Sequence, residues 1–98
     1  MAPVERPVIA RHLDISGCVQ GVWYRNWTVD TARSLGLAGW VRNRADGNVE
    51  AWVEGTQDAV TRFIAFAHEG PPAASVAQIL VQEVEPQNLT CFEKRPTG

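Results

Sequence analysis

The chain is 98 residues long, 45% hydrophobic and 20% charged, with a formal net charge of −2. Those values describe one ordinary globular domain, large enough to bury a core without metal or disulfide staples. They exclude a broad electrostatic partner such as nucleic acid, and no apolar run approaches the ~20 residues that cross a bilayer.

Residues 1–7 hold two prolines and no pattern, and are expected to form a flexible N-terminal tail ahead of a single domain over 8–98. Residues 8–16 then alternate in polarity, as a half-buried strand does, most clearly from Leu13 onward. A glycine-bracketed loop, Gly17-Cys18-Val19-Gln20-Gly21, follows. Tyr24, Trp27, Thr28, Ala32 and Leu35 fall at helical spacing, and Gly36 is a natural stop. Gly39 to Arg44 reads as a second strand and Ala45-Asp46-Gly47-Asn48 as a hairpin turn. The hairpin closes with Asn48 to Glu54, where Val49, Ala51 and Val53 take one face and Glu50, Trp52 and Glu54 the other. Thr56 suits an N-cap and Asp58 the first turn of a second helix running to about His68. Its buried stripe is expected to hold Ala59, Val60, Phe63, Ile64, Phe66 and Ala67, with Gly70-Pro71-Pro72 ending it. Val76 to Glu85 is a long strand whose broken alternation predicts a bulge or twist. Cys91 to Lys94 offers a short edge strand.

The order βαββαβ predicts an α+β ferredoxin-like sandwich: an antiparallel sheet with two helices on one face and the other face open. This fold hosts many functions and decides none.

Chemistry concentrates in the run Gly17 to Arg25. Glycines tolerate positive φ, so successive N–H groups between them can turn inward as a concave donor surface. The helix start behind the loop adds free N–H groups and partial positive charge. Arg25, in the first helical turn beside Trp23 and Tyr24, which are expected to be packed, adds a planar fork that suits a tetrahedral oxyanion. The donor loop and Arg25 together suggest phosphate chemistry. Asn43 is placed mid-strand, away from the turn; its amide both donates and accepts, which suits holding a water, but it is too weak to be a base. Arg42 and Arg44 lie near both segments, so a local positive site on an acidic protein favours a small anion.

Elsewhere the residues read as structural. His12 and His68 pair with no ligand at metal spacing and are expected at the surface. Trp52 is expected to cap the open sheet face. Cys18 and Cys91 are too few for a disulfide framework and are expected to be reduced, although the sequence leaves a bond between them open. The N-terminus lacks the features of a signal peptide, so a cytoplasmic monomer is expected.

Gly17-Cys18-Val19-Gln20-Gly21-Val22-Trp23-Tyr24-Arg25 resembles the first signature of acylphosphatases, and Gly39-Trp40-Val41-Arg42-Asn43, continuing through Gly47 and Val49 to Gly55, resembles the second. The likeness spans about residues 8–95. It implies hydrolysis of the carboxyl-phosphate bond of acyl phosphates, with Arg25 and the amides of Cys18 to Val22 on the phosphoryl group and Asn43 orienting the attacking water. It also implies no metal, cofactor or phosphoenzyme, with inorganic phosphate or sulfate as a product-like ligand. Cys18 and Trp23 depart from the residues common at their positions, which bears on rate and substrate preference. Domains of this kind also occur inside larger hydrogenase-maturation proteins, against which the length of the chain favours a free-standing enzyme.

Two rivals have distinct signatures. A cysteine phosphatase places its Cys and Arg as Cys-x5-Arg, whereas Cys18 and Arg25 enclose six residues. A non-catalytic anion-binding module would bind phosphate without turnover.

Overall fold

The computed structural model describes residues 7–98, so the tail expected over residues 1–7 lies, except for Pro7, outside the described residues. The elements are β1 (Val8–Cys18), α1 (Tyr24–Ser34), β2 (Ala38–Asn43), β3 (Val49–Thr56), α2 (Gln57–Glu69), β4 (Ser75–Val84) and β5 (Phe92–Lys94). The sheet order β4-β1-β3-β2-β5 and the βαββαβ core make this the ferredoxin-like α+β fold. The four longer strands pair antiparallel, as expected, but β5 lies parallel to β2, so the sheet is mixed.

Strand alternation builds the core. Leu13 and Ile15 of β1, Val41 of β2 and Val49, Ala51 and Val53 of β3 are fully buried against the helices. From α1 come Tyr24, Thr28 and Ala32; from α2 come Val60, Phe63 and Ala67. Burying each large side chain contributes roughly 1.5–3 kcal/mol. Phe66, expected in the α2 stripe, is exposed instead, because its direction on the helix falls outside the apolar arc of Val60, Phe63 and Ala67.

The two helices end their chains differently. α1 closes in a Schellman turn: Leu37 N–H donates to Ala32 O (2.9 Å) and Gly36 N–H to Arg33 O (3.1 Å). At the start of α2, the Thr56 side chain accepts from Ala59 N–H (3.2 Å), and Asp58 sits in the first turn. The start of α1 has neither device: Trp23, its N-cap, makes no side-chain cap bond and no acidic residue lies in the first turn.

The irregularity expected in β4 is present. Ser16 pairs with Gln78 and Gly17 with Val76, leaving Ala77 as the extra residue. Gly17 sits opposite it at φ 121°, and a Cβ there would collide with the Ser75 carbonyl and the Ala77 amide. β1 therefore continues through Gly17 and Cys18, two residues beyond the sequence expectation.

The second sheet face is less open than expected. Trp52 stacks on Trp40 (centroids 6.4 Å apart, 19° between planes), and Arg42 and Arg95 lie over the Trp40 ring at 5.2 and 5.0 Å. Glu54 is buried there, accepting from Trp52 Nε1 (2.8 Å), Gln87 N–H (2.5 Å) and Leu89 N–H (3.1 Å). Those bonds fasten the β4–β5 connection beneath the sheet.

Candidate active site

The segment Val19–Trp23 leaves β1 and turns into α1, and its side chains hold it down. Val19 enters the core and Val22 packs against it. Gln20 Nε2 donates to the carbonyls of Arg44 and Asn48, both at 2.8 Å, tying the loop to the β2–β3 hairpin. Gly21 adopts φ 74° and Trp23 φ 67°. Left-handed residues alternating with their neighbours bring adjacent N–H groups to one side of a loop. Among the described residues, the amides of Val19, Gln20, Gly21, Val22 and Trp23 donate to no protein acceptor; the first helical bond is Trp27 N–H to Trp23 O (2.9 Å). The first-turn amides of α1 are likewise free of intrahelical partners. This stretch is a run of free donors at an uncapped, positively polarised helix end.

A cavity of about 390 Å³ opens over these donors, lined by Val19 and Gly21 of the loop and by Trp23, Tyr24, Arg25 and Asn26 at the start of α1. Asn43 and Lys94 complete it from β2 and β5. Arg25 is half-buried and, among the described residues, its guanidinium has neither a carboxylate partner nor a side-chain hydrogen bond. Asn43 ends β2 rather than lying mid-strand, on the helix side of the sheet together with Val41. Its Oδ1 is buried without a hydrogen-bond partner. A buried amide oxygen in that condition costs about 1–3 kcal/mol. The only other such side-chain atom among the described residues is Thr28 Oγ1, in the core.

Of the residues expected from sequence, Val19, Gly21, Arg25 and Asn43 converge on the cavity, while Cys18, Gln20 and Val22 contribute no lining side chain. Cys18 is the last residue of β1, paired with Ser75, and its thiol is exposed. A nucleophilic cysteine therefore has no place in this cavity. Cys91 is also free, so the two cysteines are not bonded.

Arg42 and Arg44 do not add positive charge to the cavity. Strand alternation sends Arg42 to the opposite sheet face, where its Nε donates to Glu50 Oε1 (2.6 Å), and Arg44 lies 3.2 Å from the same oxygen. His12 also departs from the surface expectation: its Nε2 lies 2.6 Å from Glu50 Oε2. Burial alone would raise the Glu50 carboxyl, but hydrogen bonds from His12, Arg42 and Arg44 and the Arg42 charge hold it below the usual carboxylate value. Tyr24 is neutral at any working pH, because burial pushes its phenol far above the ordinary value while it donates to Ala67 O (2.6 Å).

Four lining residues, Trp23, Tyr24, Asn26 and Lys94, were not assigned to the site from sequence. Lys94 reaches the cavity because β5 pairs parallel with β2, Val41 beside Lys94, and its Nζ donates to Asn26 Oδ1 (3.1 Å). Asn26 carried no distinguishing signal. Trp23, expected to be packed, is 75% exposed at the cavity lip. Its left-handed backbone costs on the order of 1–3 kcal/mol in a non-glycine residue, with little burial to offset it.

An unpaired arginine, free loop amides and an uncapped helix start around one small cavity are donors of the kind a small oxyanion accepts. A model of the family described as acylphosphatase matches residues 11–94. An acylphosphatase from Azoarcus sp. is 52% identical over 97 residues, covering 99% of each chain. One from Rhodospirillum rubrum is 52% identical over 83 residues, covering 85% of this chain and 91% of its own. The crystal structure of acylphosphatase from Bacillus subtilis superposes with a TM-score of 0.87 at 33% identity, covering 89% of this chain and 98% of that one. The chain belongs to the acylphosphatase family.

Proposed function

We propose that this enzyme hydrolyses the carboxyl-phosphate bond of acyl phosphates by direct attack of a water held by Asn43 on a phosphoryl group held by Arg25 and the amides of the 18–22 loop. The observation that carries the reading is the convergence of an unpaired Arg25 and of Asn43 on one cavity at the uncapped start of α1. A phosphoryl group has equatorial oxygens that accept from the guanidinium fork and the loop N–H groups together. The Asn43 amide holds the water by hydrogen bonding and turns its lone pair toward phosphorus. The water oxygen bonds to phosphorus, the bridging P–O bond breaks, and its electron pair leaves with the carboxylate.

The proton passes to a phosphoryl oxygen, since no lining residue is suited to be a general base. A carboxylate is a good leaving group, so positioning and charge stabilisation account for most of the rate. The same donors bind inorganic phosphate as product. Free thiols at Cys18 and Cys91 support a reducing, cytoplasmic setting, and the small number of exposed large apolar residues among those described, Val8, Trp23, Phe66, Leu80 and Val81, supports a monomer.

The test is hydrolysis of acetyl and benzoyl phosphate, with inorganic phosphate as competitor. Arg25→Ala is expected to lower kcat/KM by about 10²-fold or more and to weaken phosphate inhibition. Asn43→Ala is expected to lower kcat by about 10²-fold while phosphate inhibition persists. Phosphate binding without turnover by the wild type would reassign the chain as a binding module.

A further inference from the structure

Resting on that reading, we infer that Trp23 is a specificity determinant: its indole is the surface on which the acyl group of the substrate packs, favouring aryl over small aliphatic acyl phosphates. The cavity divides by chemistry. Arg25, Asn26, Asn43 and Lys94 supply its polar side chains, and all suit the phosphoryl end. Of its larger apolar side chains, Val19 and Tyr24 are each 1% exposed and present almost no surface, whereas Trp23 is 75% exposed.

The cavity is also larger than a phosphate needs. At about 30 Å³ per water-sized group, 390 Å³ accommodates roughly a dozen heavy atoms, against five in phosphate. The indole is part of the wall around that volume. Trp23 is held there by a left-handed backbone at φ 67°, ψ 14°, a conformation that points to function when packing does not explain it. Its ring is not among the aromatic pairs of the described residues, whereas Trp27 packs on Tyr24 and Trp40 on Trp52. A flat acyl group packs on such a face by offset stacking, and a methyl group gains little there.

The acyl group stays on the indole before and during attack, so its contribution falls mainly on KM. The test compares benzoyl phosphate with acetyl phosphate for wild type, Trp23→Gly and Trp23→Phe. Glycine accepts the left-handed backbone, so Trp23→Gly relieves strain and preserves the fold. Trp23→Gly is expected to reduce the ratio of kcat/KM for benzoyl over acetyl phosphate about tenfold, through KM for benzoyl phosphate, and Trp23→Phe to restore most of it. An equal change for both substrates, or a loss carried by kcat, would overturn the inference while leaving the hydrolytic reading in place. Wild-type turnover of neither substrate would overturn both.

Discussion

Glu50 is 7% exposed and holds three basic side chains, His12, Arg42 and Arg44, on the sheet face away from the cavity. Its folded carboxyl lies below the unfolded value of 4.5, so the stability it contributes is complete above that pH. That contribution disappears as pH falls through the lower, folded value. Glu50→Gln is therefore expected to lower unfolding free energy at pH 7 by about 1–3 kcal/mol, and the difference from wild type to shrink below pH 4. Urea denaturation at the two pH values checks this. A deficit independent of pH would assign Glu50 a purely packing role. Strand parity explains why Arg42 and Arg44 misled the sequence reading: Asn43 faces the cavity, so its neighbours face away.

At the scale of elements, the two helix starts form a natural comparison. α2 is closed by its own residues, Thr56 and Asp58, and α1 is left with free amides over a cavity. Placing a carboxylate in the first turn of α1 separates the two demands on that helix. Asn26→Asp is expected to raise thermal stability by about 0.3–1 kcal/mol, because the charge complements the helix dipole. The same charge repels a bound oxyanion, so inhibition by inorganic phosphate is expected to weaken on the order of tenfold. Thermal melts and inhibition constants check the two signs, and a variant that binds phosphate more tightly would refute the anion-site reading of α1.

For the molecule as a whole, an anion that binds only the folded state must stabilise it by mass action. Inorganic phosphate at a hundred times its dissociation constant adds about 2.7 kcal/mol, which in a domain of this size raises Tm on the order of 10 °C. Arg25→Ala is expected to lose most of that shift, and a wild-type Tm indifferent to phosphate would contradict the site. Much of this architecture was legible in sequence because it is locally coded. The alternation of β3, the Asp46-Gly47 turn, the Gly36 stop and the Thr56 cap each depend on residues a few positions apart. So do the loop and Arg25. What escaped reading depends on distant pairing: His12 meets Glu50 38 positions along the chain, and Lys94 enters the cavity only because β5 lies against β2. Phe66 escaped for a different reason, since apolar character alone does not place a side chain at the centre or the margin of a helix face.

The final strand has one more implication. Phe92 is sealed in the interior two residues before Lys94 joins the cavity wall, and beyond them Arg95 N–H donates to Val41 O (2.8 Å) and Gly98 N–H to Asn43 O (3.1 Å). A fluctuation that lifts the wall must also extract an aromatic ring and unzip hydrogen bonds beside the water-holding asparagine. The pocket has no inexpensive way to fray, so heat should extinguish turnover and melt the protein in a single transition.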